Sequence, residues 1–369
     1  MITINRSCLV KIGVPKELKN QEYRVGLTPH SVQVLSGQGH QVFFENNLGN
    51  GIGFTDEDYI AAGGHLCNSA EEVYSQAQLI VKVKEPLDSE LSLINEQHTL
   101  FTFFHLAGNP AGVQKLLATG SRGIAYETVT NEQGGLPLLS PMSAIAGQIS
   151  LAIGNYYLLK PHGGKGVLST PLEGLTSREV TVLGAGVAGC NAIKVAVNQG
   201  SVVNILDLNE SKLNELKMLY GEKVNTFLSN QKNIEKCIAS SDIVVGSVYV
   251  IGKQAPKVIL KKHLSCMQQG SVMIDISIDQ GGCFESSSPT THDDPVYKVE
   301  DILHYCVTNM PGAVPLTASE ALNKATLPFI ESMANYGIDE ALAKSEHLNN
   351  GLNFSQGKLI HPSVIESLQ

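Results

Sequence analysis

The chain has 369 residues, enough for two or three domains and a substantial core. Apolar residues make up 43%, charged residues 17%, and there are 35 glycines, the profile of a compact α/β protein and not of a disordered or coiled-coil chain. A net charge of −9 with no Lys/Arg cluster argues against nucleic acid as a partner, and no stretch of about 18 apolar residues is present to span a membrane. Seven cysteines, none in a Cys-x-x-Cys pair, read as reduced thiols, so neither a disulfide framework nor a zinc site is expected and no metal is assigned. The segment Met1–Val14 lacks the apolar run of a signal peptide, which points to a cytoplasmic protein.

In chain order, Leu9–Val14, Gln41–Glu45, Leu79–Val83, Thr99–Phe104 and Gly123–Tyr126 read as strands, with helical patterns at Pro29–Gln38, Asp56–Ala62 and Ala70–Gln76 between them. Such alternation predicts a parallel sheet of βαβ units. Ser140–Leu159 is the longest helical pattern of the first half, started by Ser140-Pro141 or Ser143, and a Gly/Pro-rich loop follows at Pro161–Gly174. The domain crossing is placed along this helix, near residue 138.

A second series has strands expected at Val180–Leu183, Val202–Leu206, Val224–Leu228, Ile243–Ser247, Val272–Ile276 and His304–Val307. Six strands with helices between them match the doubly wound dinucleotide-binding plan. The tail after Thr317 reads as helix, with a stripe at Ala321, Ala325, Phe329 and Met333 that Pro328 should bend or interrupt.

The sharpest motif is Glu179–Cys190, where an apolar strand runs into Gly184-x-Gly186-x-x-Gly189 and then a helix. The first glycine makes a tight turn, the second lets backbone approach a pyrophosphate, and the third packs helix on sheet, while the helix N-terminus offers free N–H groups. Asp207 ends the next strand 23 residues after Gly184, the place for a carboxylate that accepts from the ribose hydroxyls. It would repel a 2′-phosphate, and no Arg follows at 208–211, so NAD is favoured over NADP. The competing reading is a glycine-rich turn with Asp207 opening a loop.

Charged groups also end apolar strands elsewhere, at the edge where ligands of α/β sheets collect. Arg24 can fork onto a carboxylate or stand as a solvated loop residue. Lys84 can bind a carboxylate or carbonyl, or pair with Glu85. His105, after Leu100–Phe104, can move a proton near neutral pH or be a hydrogen-bonded core histidine. Asp279, ahead of Gly281-Gly282, can orient water or ammonia, whereas Asp275 reads as structural.

Together, Gly13–Glu17, Glu22–Pro29, Lys82–Pro86, Phe101–Ala107, Ala125–Val129, Leu136–Ser143, Gly163–Leu168, Asp275–Glu285 and Thr308–Ser319 resemble the alanine dehydrogenase family, which includes the NAD-binding subunit of transhydrogenase. The resemblance implies NAD-dependent, reversible deamination of L-alanine to pyruvate and ammonia. Arg24 and Lys84 would hold the substrate, and His105 and Asp279 would handle protons. Ser143, Val187, Ala188, Asp207, Lys212, Ser229, Val248 and Tyr249 would contact NAD, as would Ile276, Ser277, Ile278 and Asp279, and Val307, Thr308, Asn309 and Met310. It further implies a Rossmann NAD-binding domain at 138–315, a discontinuous substrate domain at 1–137 and 316–369, and a homo-oligomer, often a hexamer. The loop Ser169–Leu172 and Ser288 depart from relatives. Alternatives are a transhydrogenase-type NAD-binding subunit without its own amino-acid substrate, and a dehydrogenase of larger adducts. The presence of Arg24, Lys84, His105 and Asp279 favours the enzyme.

Overall fold

The computed structural model describes residues 10–106, 110–250 and 254–368; Cys8, Leu9 and Ala107 of the segments above lie outside them. In chain order the strands are β1 (Ile12–Val14), β2 (Val42–Glu45), β3 (His65–Cys67), β4 (Leu79–Val81), β5 (Thr99–Thr102) and β6 (Arg122–Ala125). There follow β7 (Glu179–Leu183), β8 (Val202–Asp207), β9 (Val224–Leu228), β10 (Ile243–Gly246), β11 (Val272–Asp275), β12 (Val296–Val299) and β13 (Ile302–Tyr305), and finally β14 (Leu352–Ser355) and β15 (Lys358–Leu359). The chain forms two compact units, Met1–Met142 with Gly312–Gln369, and Ser143–Pro311. Passage from the first to the second falls inside helix α1 (Ser140–Leu158).

The first unit carries a sheet ordered β15-β14-β6-β5-β4-β1-β2-β3. Pairs from β6 to β3 are parallel, and β14 and β15 add antiparallel at the far edge. The strand order reverses between β1 and β4, so their C-terminal ends open the crevice that such sheets use for ligands. Val14, Leu79, Val81 and Phe101 are fully buried, as parallel strands covered on both faces require. Beyond β1 the chain folds tightly over β4: a β-carbon on Gly26 would lie 2.3 Å from the Val81 carbonyl oxygen. Thr28 then caps the helix Pro29–Gly37, whose proline sits in the first turn.

Two expectations about the tail are corrected. It is not wholly helical, because β14 and β15 extend the sheet by pairing with β6 and with each other. Helix α2 (Pro315–Tyr336) also runs unbroken through Pro328. Pro328 and Lys324, whose carbonyl loses its partner, are both exposed, so water can satisfy the freed group. The buried stripe is shifted from the one expected: Ala318, Leu322, Thr326, Ile330 and Met333 face the core, joined by Ser319 and Asn323. Those polar residues are inside because they serve the loop after β1. Ser319 Oγ accepts from the Val25 N–H at 3.1 Å, and Asn323 Oδ1 accepts from the Thr28 N–H at 2.8 Å.

The second unit has a sheet ordered β12-β13-β11-β10-β7-β8-β9, parallel except for β12. The edge strand β12 was not expected; it is half-exposed and packs on β13 alone, so it carries little apolar signal. Val180, Val182, Val203, Ile205, Val245 and Ile274 form the core with Ala192 and Ile193 of helix α3 (Val187–Asn198) and with Leu151 and Leu158 of α1. Each large aliphatic side chain buried here stabilises by roughly 1.5–3 kcal/mol. Small residues let the helices approach: a β-carbon on Gly147 would meet the Ala188 carbonyl oxygen at 2.1 Å. None of the described helices is long and apolar enough to cross a membrane.

Candidate active site

Three of the residues singled out by sequence come together at the C-terminal edge of the first sheet. Arg24 lies on the loop over β4, Lys84 follows β4, and His105 follows β5. The Lys84 and Arg24 charges both act on His105, and the Lys84 charge also acts on Glu22. Met142 joins them, with its sulfur 3.3 Å from Arg24 Nη1. The Phe103 ring stacks on that of His105, with centroids 5.9 Å apart and planes 13° from parallel.

Beneath each of these residues is a glutamate that the sequence reading left without a role. Glu22 accepts from Arg24 Nε at 2.7 Å, from Nη2 at 2.5 Å and from its backbone N–H at 3.1 Å. Burial opposes ionisation of Glu22, but the Arg24 hydrogen bonds and the Arg24 and Lys84 charges outweigh it and hold the carboxyl below its usual range. Glu17 accepts from the backbone N–H of Val83 at 2.7 Å and of Lys84 at 3.3 Å. Its other oxygen lies 3.5 Å from the buried Lys82, whose ammonium is 2.9 Å from Glu90. Burial alone would discharge Lys82; the two carboxylates reverse that and raise its pKa. Glu127, just past β6, accepts from the N–H of Phe104 at 3.0 Å and of His105 at 2.6 Å. Glu17 and Glu127 sit inside quoted segments, yet a carboxylate bonded to backbone far along the chain leaves no local pattern to read.

His105 has backbone φ of +50°, a left-handed conformation uncommon for a residue with a β-carbon. The residue as a whole is solvent-exposed. Crowding by protein atoms, then the charges of Lys84, Lys19 and Arg24, lower its pKa, and the three cations are what hold that direction for an exposed residue. The imidazole is therefore neutral at pH 7 and able to accept a proton. Arg24, Lys84 and a proton acceptor at one sheet edge suit a small anionic substrate that must lose or gain a proton.

In the second unit the glycine turn behaves as its spacing predicts. Gly184 has φ of +92°, and a β-carbon on Gly189 would lie 1.9 Å from the Gly184 carbonyl oxygen. Around a β-carbon on Gly186, by contrast, no described atom lies within 4 Å. Gly186 is also the N-cap of α3, and no described side chain caps that end, so the N–H groups of Val187 and Ala188 are presented at an open cradle. Asp207 ends β8 and braces the turn, accepting from the Ala185 N–H at 2.6 Å and the Asn209 N–H at 2.8 Å. Its own carbonyl accepts from the Ser229 N–H at 2.9 Å. A diphosphate at the turn and a ribose at Asp207 fit this arrangement, the one expected of an NAD site. Lys212 pairs with Glu215 at 2.9 Å at the start of the following helix.

The switch point of this sheet, between β7 and β10, places Val248 and Tyr249 beside the glycine turn's strand end. Ser277 Oγ donates to the Val248 carbonyl at 2.8 Å. Asp275 organises the loop that carries Ile276, Ser277, Ile278 and the exposed Asp279. It accepts from the N–H groups of Ser277 at 3.0 Å and Cys283 at 2.8 Å, and from Ser287 Oγ at 2.5 Å. Val307 bridges to Thr290, and Asn309 has φ of +69°, with its carbonyl 3.2 Å from His292 Nε2. Ser288, one of the departures, donates its N–H to the Tyr297 hydroxyl at 2.6 Å. Ser143 is the first residue of this unit, within α1, and Thr308 and Met310 flank Asn309.

The family model described as alanine dehydrogenase/PNT, N-terminal domain, matches residues 13–146, and that of the C-terminal domain matches residues 150–362. The chain belongs to the alanine dehydrogenase/PNT family. It is 43% identical over 357 residues to an alanine dehydrogenase of Mycolicibacterium smegmatis, covering 97% of this chain and 96% of that protein. An alanine dehydrogenase of Methanococcus maripaludis is 44% identical over 357 residues, with 96% of each chain covered. A solved L-alanine dehydrogenase superposes with a TM-score of 0.93 at 44% identity, over 97% of this chain and 98% of that one. A transhydrogenase from Sinorhizobium meliloti shares the fold at a TM-score of 0.82 and 22% identity, over 95% of this chain and 99% of that one.

Proposed function

We propose that this member of the family interconverts L-alanine with pyruvate and ammonia, using NAD. The observation that carries the reading is the likeness to alanine dehydrogenases at 43–44% identity across 96–97% of the chain. The transhydrogenase reading is weaker, since that likeness falls to 22% identity.

The unit Met1–Met142 with Gly312–Gln369 is assigned the substrate, and Ser143–Pro311 the nucleotide. When bound, NAD supplies the acceptor for the hydride on the alanine α-carbon. Arg24 offers the carboxylate a planar fork that its salt bridge to Glu22 keeps aimed, and Lys84 adds a point charge for the carboxylate or carbonyl end. Charging the site twice lets it hold the anion of either amino acid or oxo acid. Neutral His105 takes a proton as the amine or adding water gives one up and returns it in the amination direction. Asp279, exposed on its loop, is assigned the second proton-handling role. The N–H groups at Gly186, Val187 and Ala188 and the carboxylate of Asp207 are assigned the diphosphate and ribose.

A cytoplasmic homo-oligomer, a hexamer by family likeness, completes the proposal. Exposed Leu168, Leu172 and Leu175 on one loop, and Met218 and Leu219 on one helix, support self-association. The testing variant is His105→Ala, expected to abolish turnover in both directions while leaving NADH affinity within about threefold, since backbone and Asp207 make the nucleotide cradle. Near-normal turnover in that variant would remove His105 from the reaction.

A further inference from the structure

Arg24 and Lys84 sit on ordinary backbone, held by Glu22 and Glu17, but His105 is held in a conformation it would not adopt alone. Its φ of +50° lies where residues with a β-carbon rarely rest, and it stands one residue beyond Phe104, just past the end of β5. A carboxylate counters the tendency to relax. Glu127 reaches across from the turn after β6, the strand beside β5, and its Oε1 accepts from both Phe104 N–H at 3.0 Å and His105 N–H at 2.6 Å. Its Oε2 lies 3.3 Å from the Phe104 N–H as well. Two consecutive N–H groups aimed at one carboxylate oxygen form a concave clamp, and flipping His105 back to extended backbone would break it.

We propose that Glu127 is a positioning residue for His105, holding the left-handed backbone that sets the imidazole among Lys84, Lys19 and Arg24. The inference rests on His105 being the proton-transfer group of the proposed reaction. Glu127 acts through the backbone, not by lending charge to the ring: its oxygens face N–H groups, and the charges that bear on the imidazole come from the three cations. What matters is then an acceptor of the right reach. Burial pushes the Glu127 carboxyl up even against those N–H bonds, and the reach of its oxygen to the two N–H groups is what glutamine would keep.

The test compares Glu127→Gln, Glu127→Asp and Glu127→Ala with His105→Ala in steady-state amination of pyruvate, alongside NADH fluorescence titration. Glutamine keeps an oxygen at the same reach and is expected to keep kcat within about threefold. Aspartate keeps the charge but is one methylene short, and alanine has no acceptor; both are expected to lower kcat on the order of 10- to 100-fold, the usual effect of a misplaced catalytic group. In all three the KM for pyruvate is expected to change less than about threefold, because Arg24 and Lys84 are held by Glu22 and Glu17. NADH affinity reports that the variants are folded. If Glu127→Ala does not fold, Glu127→Asp against Glu127→Gln decides alone. Wild-type kcat in Glu127→Asp, or loss of kcat in Glu127→Gln equal to that in Glu127→Asp, overturns the positioning role while an inactive His105→Ala leaves the reaction assignment standing. An active His105→Ala overturns the assignment itself, and the positioning role with it.

Discussion

The proposed base, His105, is kept neutral by its neighbours. With Lys84, Lys19 and Arg24 around it, protonation is opposed, so the free enzyme keeps the neutral imidazole below pH 6.5, the ordinary histidine value. As pH falls through the lowered pKa the ring charges and can no longer accept a proton. The acid limb of kcat/KM for alanine deamination is therefore expected below pH 6.5. A bound carboxylate cancels part of the positive charge, so the acid limb of kcat should lie at higher pH than that of kcat/KM. Measured pH–rate profiles with the two limbs in the opposite order would contradict the cation cluster. At Asp207, replacement by alanine removes the proposed ribose acceptor and the brace on Ala185. NADH affinity should fall about tenfold or more in Asp207→Ala, with the KM for alanine nearly unchanged at saturating NAD. A collapse confined to alanine affinity would show that Asp207 does not serve the cofactor. The place of Asp207 at the end of β8 was legible because the glycine turn sets a fixed distance to it. Glu127 was not, because its partners are the N–H groups of residues 22 and 23 positions back, and hydrogen bonds to backbone carry no side-chain signature.

At the scale of elements, the strand–turn–helix of β7 and α3 separates two glycines that look alike in sequence. Gly189→Ala would put a β-carbon 1.9 Å from the Gly184 carbonyl oxygen, and backbone must shift. Gly186→Ala meets open space at φ of −71°, a conformation alanine accepts. Thermal unfolding and NADH titration should split accordingly. Gly189→Ala is expected to lose about 1–3 kcal/mol of stability, as overpacking does. Gly186→Ala is expected to keep its melting temperature and lose NADH affinity, because its methyl would fill the cradle proposed for the diphosphate. An unchanged NADH affinity in Gly186→Ala would move the diphosphate elsewhere. Most parallel strands of both units were legible as apolar runs between helices; β3, at the sheet edge with His65 and Leu66 exposed, was not expected. Helix α2 misled twice: Pro328 lies on its exposed side, where a lost hydrogen bond goes to water, and its buried face includes Ser319 and Asn323, which a hydrophobic stripe does not count. Both residues point inward to satisfy the Val25 and Thr28 N–H groups of the Arg24 loop. The helix thus builds the site as well as the core.

At the scale of the whole molecule, each unit is an α/β sheet whose strand order reverses once, and Lys84 after β4 in one and the glycine turn after β7 in the other fall at those reversals. The antiparallel addition of β14 and β15 to the first sheet was not foreseen. A four-residue strand pairing with a segment more than 200 positions earlier, and a two-residue strand added to its edge, give periodicity nothing to register. The central claim is that one chain joins a carboxylate-binding, proton-handling edge to an NAD cradle. Its most direct test is absorbance at 340 nm with the purified protein, NADH, ammonium and a panel of 2-oxo acids, with NADPH as the comparison. NADH should be consumed when pyruvate and ammonium are both present and not when either is omitted, and NADPH should be a poor substitute. Binding of NADH with no consumption for any oxo acid would contradict the claim and leave a nucleotide-binding protein without an amino-acid substrate.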